Sequence, residues 1–100
     1  MTRYWLPAAV LVFSATSAFA GPIEKACLKS GRDVASPSLC GCIQQVADMT
    51  LNASDQRLAA KFFRDPDMAQ EVRMSDRSSH EAFWLRYTGF GEAAQELCAS

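Results

Sequence analysis

The chain has 100 residues, room for one domain and no more. Its formal net charge is −1, from ten Lys/Arg and eleven Asp/Glu with the two signs interspersed. That pattern excludes nucleic acid and anionic lipid as obvious partners, since both call for a basic run or face.

The first twenty residues read as an address. Arg3 supplies a short positive start, an apolar run extends from Leu6 to Phe13, and small residues end in Ala18-Phe19-Ala20. These are the parts of a cleavable secretory signal. The expected division is therefore a signal peptide over 1–20 and a single mature domain over 21–100. The apolar run is shorter than the roughly 20 residues needed to span a bilayer, and no stretch after residue 20 approaches that length. No cysteine follows the cleavage site, which argues against a lipid anchor, and no twin arginine precedes the apolar run, so export as an unfolded chain is expected. The destination is the periplasm or the cell exterior.

The mature part carries Cys27, Cys40, Cys42 and Cys98. An even number of cysteines in an oxidising compartment predicts two disulfides. A domain of this size buries only about 60–65% of its unfolded surface, so cross-links offset a thin core.

Strand signals are missing: Val, Ile and Thr are scarce, and no segment alternates apolar and polar residues over strand length. The first helix is expected from Pro22, a good first-turn residue, to a stop at Gly31, with Ile23, Ala26 and Cys27 on its apolar edge. A turn follows through Arg32 to Ala35. Ser36-Pro37 opens the second helix as cap and first helical residue. On it Leu39, Cys42, Ile43, Val46, Met49 and Thr50 share one face, and Cys40 points about 120° away from that stripe. Ser54 is the expected cap of a third helix over 55–64, with Leu58 and Phe62 inward. Asp65-Pro66 ends that helix and starts a fourth, because the residue before proline avoids the α region; Met68 and Val72 are its inward pair. Ser75 is the expected cap of the last helix, along which Phe83, Tyr87, Phe90, Ala94 and Leu97 step by four and three. The stripe keeps phase across Gly89 and Gly91, so one helix to Cys98 is expected, weakened by about 1 kcal/mol at each glycine. The fold class is thus all-α, a bundle of four to five helices stapled by two disulfides.

Two cysteine pairings compete. A Cys40–Cys42 bond would require local unwinding, because side chains two residues apart on a helix diverge by about 200°. The first two helices, joined by a short turn, should be antiparallel neighbours. Cys27 and Cys42 both fall on inward stripes, which favours Cys27–Cys42 with Cys40–Cys98 over Cys27–Cys40 with Cys42–Cys98.

No nucleophile–base–acid set suggests catalysis. Cys40-Gly41-Cys42 is the one spacing with chemical promise, as a thiol-disulfide redox pair, but the usual redox spacing is Cys-x-x-Cys within a βαβ pattern, absent here. The cysteines with His80, Met68 and Met74 offer soft metal donors without zinc-type spacing, and haem attachment lacks its C-x-x-C-H motif, so no cofactor or metal is expected. Trp84, adjacent to the inward Phe83, must lie at the edge of the stripe, where an aromatic can dock a partner; His80, one turn earlier, shares its face. The arginines Arg57, Arg64, Arg73, Arg77 and Arg86 are interleaved with acids and read as solvated helix faces.

The strings Ser-Pro-Ser-Leu-Cys-Gly-Cys-Ile-Gln (36–44), Ser-Asp-Gln-Arg-Leu-Ala-Ala-Lys-Phe-Phe (54–63) and Asp-Pro-Asp-Met-Ala-Gln-Glu-Val-Arg-Met-Ser (65–75), with Phe83-Trp84, Arg86-Tyr87 and the terminal cysteine, resemble small exported bacterial proteins with four cysteines. The resemblance spans nearly the whole mature chain. It implies export and a cross-linked fold but no activity. Some members bear the label "arginine transporter", which for a chain without a membrane span implies at most an accessory role. The expected function is that of a non-enzymatic periplasmic or secreted accessory protein acting on an unnamed protein partner. The alternatives are a redox protein using Cys40 and Cys42, and solute or metal binding in support of transport.

Overall fold

Prolines and short polar side chains set where the helices begin in the computed structural model, which describes residues 20–31 and 35–99. Five α-helices and no strand occur among these residues: α1 Pro22–Lys29, α2 Pro37–Thr50, α3 Ala53–Arg64, α4 Pro66–Arg73 and α5 Ser78–Cys98. The all-α bundle expected from the sequence is the observed architecture. The expected signal peptide and most of the Arg32–Ala35 turn lie outside the described residues. No described helix is long and apolar enough to cross a membrane.

Proline stands at the first turn of α1, α2 and α4, where its missing N–H is no loss. Ser36 caps α2, its hydroxyl accepting from the Leu39 N–H at 3.1 Å. After α1 the backbone turns left-handed at Gly31, φ +71°, a conformation glycine enters without a side-chain penalty. Two expected caps are corrected. The cap of α3 is Asn52, whose side chain accepts from the Asp55 N–H at 2.8 Å, not Ser54. Asn52 reaches the third amide of the helix, where an acid, Asp55, also favours the positive helix end. The last helix begins at Ser78 rather than just after Ser75. Ser75 acts earlier: its hydroxyl accepts from the Arg77 N–H at 3.2 Å and lies 2.8 Å from His80 Nδ1, turning the chain into α5. From there α5 runs unbroken through Gly89 and Gly91.

α2 is the central element, packed on α1 and on α5; α3 lies against α1 and α4, and α4 against α5. The core comprises Ile23, Val46, Ala47, Leu51, Ala59, Phe62, Val72, Phe83 and Phe90. Tyr87 joins its aromatic part: Phe62 meets it edge-on at 5.3 Å, Phe83 stacks on it at 5.6 Å, and Trp84 and Phe90 lie 5.2 and 6.0 Å away. Ring contacts of this kind add about 0.5–1.5 kcal/mol each beyond burial.

Two stripe expectations need correction. Met49 is 68% exposed, and the buried positions of α2 include Cys40, Gln44 and Ala47, with Leu51 just beyond the helix. These step by four, three and four, which makes a second inward face. α2 therefore has two buried sides because it has two neighbours. The side rich in large apolar residues was legible from residue type; the side built from a cysteine, a glutamine and an alanine was not. On α5, Leu97 is 62% exposed and Cys98 takes the inward position.

Candidate functional site

The cysteines report the two-sided burial of α2 directly. Cys27 bonds Cys40, and Cys42 bonds Cys98. The favoured Cys27–Cys42 and Cys40–Cys98 pairing is thereby overturned. It assumed one inward face on α2, whereas Cys40 and Cys42, about 200° apart around the axis, serve neighbours on different sides. The α1 bond is closed, with Cys27 4% and Cys40 0% exposed. The α5 bond is partly exposed. It lines an open cleft of about 490 Å³ with Ser36, Ser38, Leu39, Leu97 and Ala99. Cys40 and Cys42 are not bonded to each other and there is no free cysteine among the described residues, an arrangement that does not build the vicinal redox pair.

Where α1, α2 and α3 meet, the core is polar. Gln44 Oε1 accepts from the Glu24 N–H at 2.9 Å, so a side chain of α2 caps the N-terminus of α1. Gly21, the N-cap residue of α1, supplies no side chain for that task. Its glycine also has a steric reason, since a Cβ there would overlap the end of Gln44. Gln44 Nε2 donates to Gln56 Oε1 at 2.8 Å and to Asp48 Oδ1 at 2.9 Å. Gln56 Nε2 donates in turn to Asp48 Oδ1 and the Leu51 carbonyl. Gln44 and Gln56 are both 7% exposed, and no buried side-chain polar atom among the described residues lacks a partner. Satisfied in this way the network specifies how three helices meet.

A second polar contact joins α3 to α5. Arg86 Nε donates to Asp55 Oδ2 at 2.7 Å and its Nη2 to Oδ1 at 2.9 Å, a two-pronged ion pair. The Asp55 side chain is 6% exposed, that of Arg86 44%. The Arg86 hydrogen bonds hold the Asp55 carboxyl below its ordinary value against burial, which pushes it up; the Arg86 charge and a backbone hydrogen bond from Asn52 add to the lowering. Arg86, expected as a solvated residue, is thus structural. Its partner lies 31 residues away, a separation at which no local spacing signals a pair.

Two surface regions remain. Between α1 and α3 lies a groove of about 200 Å³ lined by Pro22, Lys25, Ala26, Lys29, Ala60 and Arg64. This groove had no sequence signal, because its cations come from two helices and are diluted by acids in each. On α5, Trp84 is half-buried against the core and the Tyr87 ring, and His80, also half-buried, is held to Ser75. No group of three or more His, Cys, Asp or Glu among the described residues is arranged to hold a metal ion.

The chain matches no protein-family model, and no curated protein or solved structure is detectably similar to it.

Proposed function

We propose that this chain is an exported accessory protein of the periplasm or cell exterior that acts by binding a protein partner rather than by catalysis. The observation that carries the reading is the employment of its reactive side chains. All four cysteines are consumed in two cross-links on either side of α2, the use of thiols expected of a small domain outside the reducing cytoplasm. The same economy extends to Asp55, Gln44 and Gln56, which are occupied in joining helices.

What is left for recognition is surface. The groove lined by Lys25, Lys29 and Arg64 suits an acidic segment of a partner, because three cations and no acid line it beside Pro22, Ala26 and Ala60. Trp84 and His80 offer a second contact edge on α5. The groove gives no support to arginine binding, since its cations repel a guanidinium.

The test is capture from a periplasmic extract by the oxidised protein, compared with Lys25→Glu/Lys29→Glu and Trp84→Ala. A stoichiometric partner retained by the parent and lost by the charge-reversed variant is the expected result. Identical retention by all three proteins would count against the reading.

A further inference from the structure

The two disulfides differ in what they hold. Cys27–Cys40 sits in the closed junction of α1 and α2, with both residues buried. Cys42–Cys98 lines an open cleft, and Cys98 is the last residue of α5. Phe90 is the last large buried side chain on that helix. Beyond it, Gly91, Glu92, Gln95, Glu96 and Leu97 are exposed, and only Ala93 and Ala94 are partly covered before Cys98. Residues 91–98 make about two helical turns that contain no fully buried side chain. Gly89 and Gly91 precede this segment, and each lowers helix propensity by about 1 kcal/mol relative to alanine. The end of α5 is thus an arm with a weak root, held by Ala93 and Ala94 against the core and by one reachable bond to α2.

We propose that Cys42–Cys98 is a thiol-disulfide exchange site for an exported dithiol oxidoreductase, and that its opening releases residues 91–98 while Cys27–Cys40 keeps the remainder folded. The step is ordinary exchange. A thiolate of the oxidoreductase forms a bond to one sulfur of the cystine as the Cys42–Cys98 bond breaks, and the displaced sulfur leaves with the electron pair and takes a proton from water. The second thiol of the oxidoreductase loses its proton and attacks its own partner sulfur in the mixed disulfide. That frees the second cysteine, which is protonated. Two electrons and two protons pass to this chain, leaving two thiols here and a disulfide in the oxidoreductase. Cys40, at 0% exposure, is closed to the same attack until α1 and α2 separate. Release of the arm uncovers the α2 surface around Leu39 and Cys42, which the cleft already borders.

The experiment uses the oxidised protein under graded dithiothreitol, with alkylation of new thiols, peptide mapping and amide hydrogen exchange. Cys42 and Cys98 should become alkylated at least about tenfold faster than Cys27 and Cys40, because a local opening outruns a larger one. In the singly reduced species, exchange protection should be lost over 91–98 and kept in α1, α2 and the segment around Phe83. The Cys42→Ser/Cys98→Ser variant should reproduce that protection pattern without reductant. A thioredoxin-type oxidoreductase lacking its resolving cysteine should be trapped on Cys42 or Cys98. Equal or reversed alkylation rates, loss of protection throughout the chain on opening of this bond, or trapping on Cys27 or Cys40 would each overturn the proposal.

Discussion

α2 presents different materials to its two neighbours. Toward α1 it offers Cys40 and Gln44: a closed disulfide and a glutamine that caps the neighbouring helix. On the other side are Val46, one turn from Cys42, and a cystine open to solvent, while further along α5 the rings of Phe83 and Tyr87 gather on Phe62 of α3. The first interface is specified by hydrogen bonds and a closed disulfide, the second by an open disulfide and apolar packing. The difference follows from length. α1 has only 8 residues, too few to bury a long stripe, so directional contacts must hold it; α5, with 21, can bring several rings to the core.

The aromatic side should be the more sensitive to truncation. Phe83→Ala removes a ring that is 3% exposed and in contact with Phe62 and Tyr87. The expected loss is about 3–5 kcal/mol, read by urea unfolding of the oxidised protein. A loss under about 1 kcal/mol would mean that apolar bulk does not hold this side.

On the α1 side the corresponding change is Gln44→Ala, which leaves the Glu24 N–H and Gln56 Oε1 without their partners. The expected cost is about 1–3 kcal/mol. Hydrogen exchange should place the lost protection first in α1, whereas Phe83→Ala should weaken the protein as a whole. Preferential loss in α5 after the glutamine change would erase the distinction between the two sides.

The smallest effect is a dependence on pH. The Asp55 carboxyl titrates lower in the folded chain than in the unfolded one, so the unfolded state binds its proton more readily. The stability from the Asp55–Arg86 pair is therefore fully present above the unfolded value of about 3.9 and is lost as pH falls through the lower, folded one. Thermal melts of the parent and of Asp55→Asn should differ at neutral pH, with the parent higher, and should converge in strong acid. A gap that stays constant across that range would show that the carboxylate charge is not what joins α3 to α5.

Much of the fold was legible because its signals are local. Pro22, Pro37 and Pro66 mark helix starts within a few residues of chain, Gly31 marks a stop, and the Phe83–Phe90 spacing is a property of one helix. The cap of α3 was misread because Asn52 and Ser54 are both capping residue types two positions apart, and only the hydrogen bond to the Asp55 amide tells them apart. The start of α5 was misread for a similar reason, since Ser75 satisfies the Arg77 amide ahead of the helix.

The sequence by itself determined an all-helical chain cut into segments at its prolines and capping residues, and it carried four cysteines destined for two bonds. Tertiary structure alone decided how many sides of α2 are buried, and through that which cysteine meets which. It also chose Gln44 as the cap of α1 and Asp55 as the partner of Arg86. The physical reason is the range of the interactions. Helix starts, stops and apolar stripes depend on residues within a turn or two of one another. Whether a cysteine, glutamine or arginine faces solvent or a neighbour depends on which helix arrives on that side, and the residues that decide it lie 13, 20, 31 and 56 positions away.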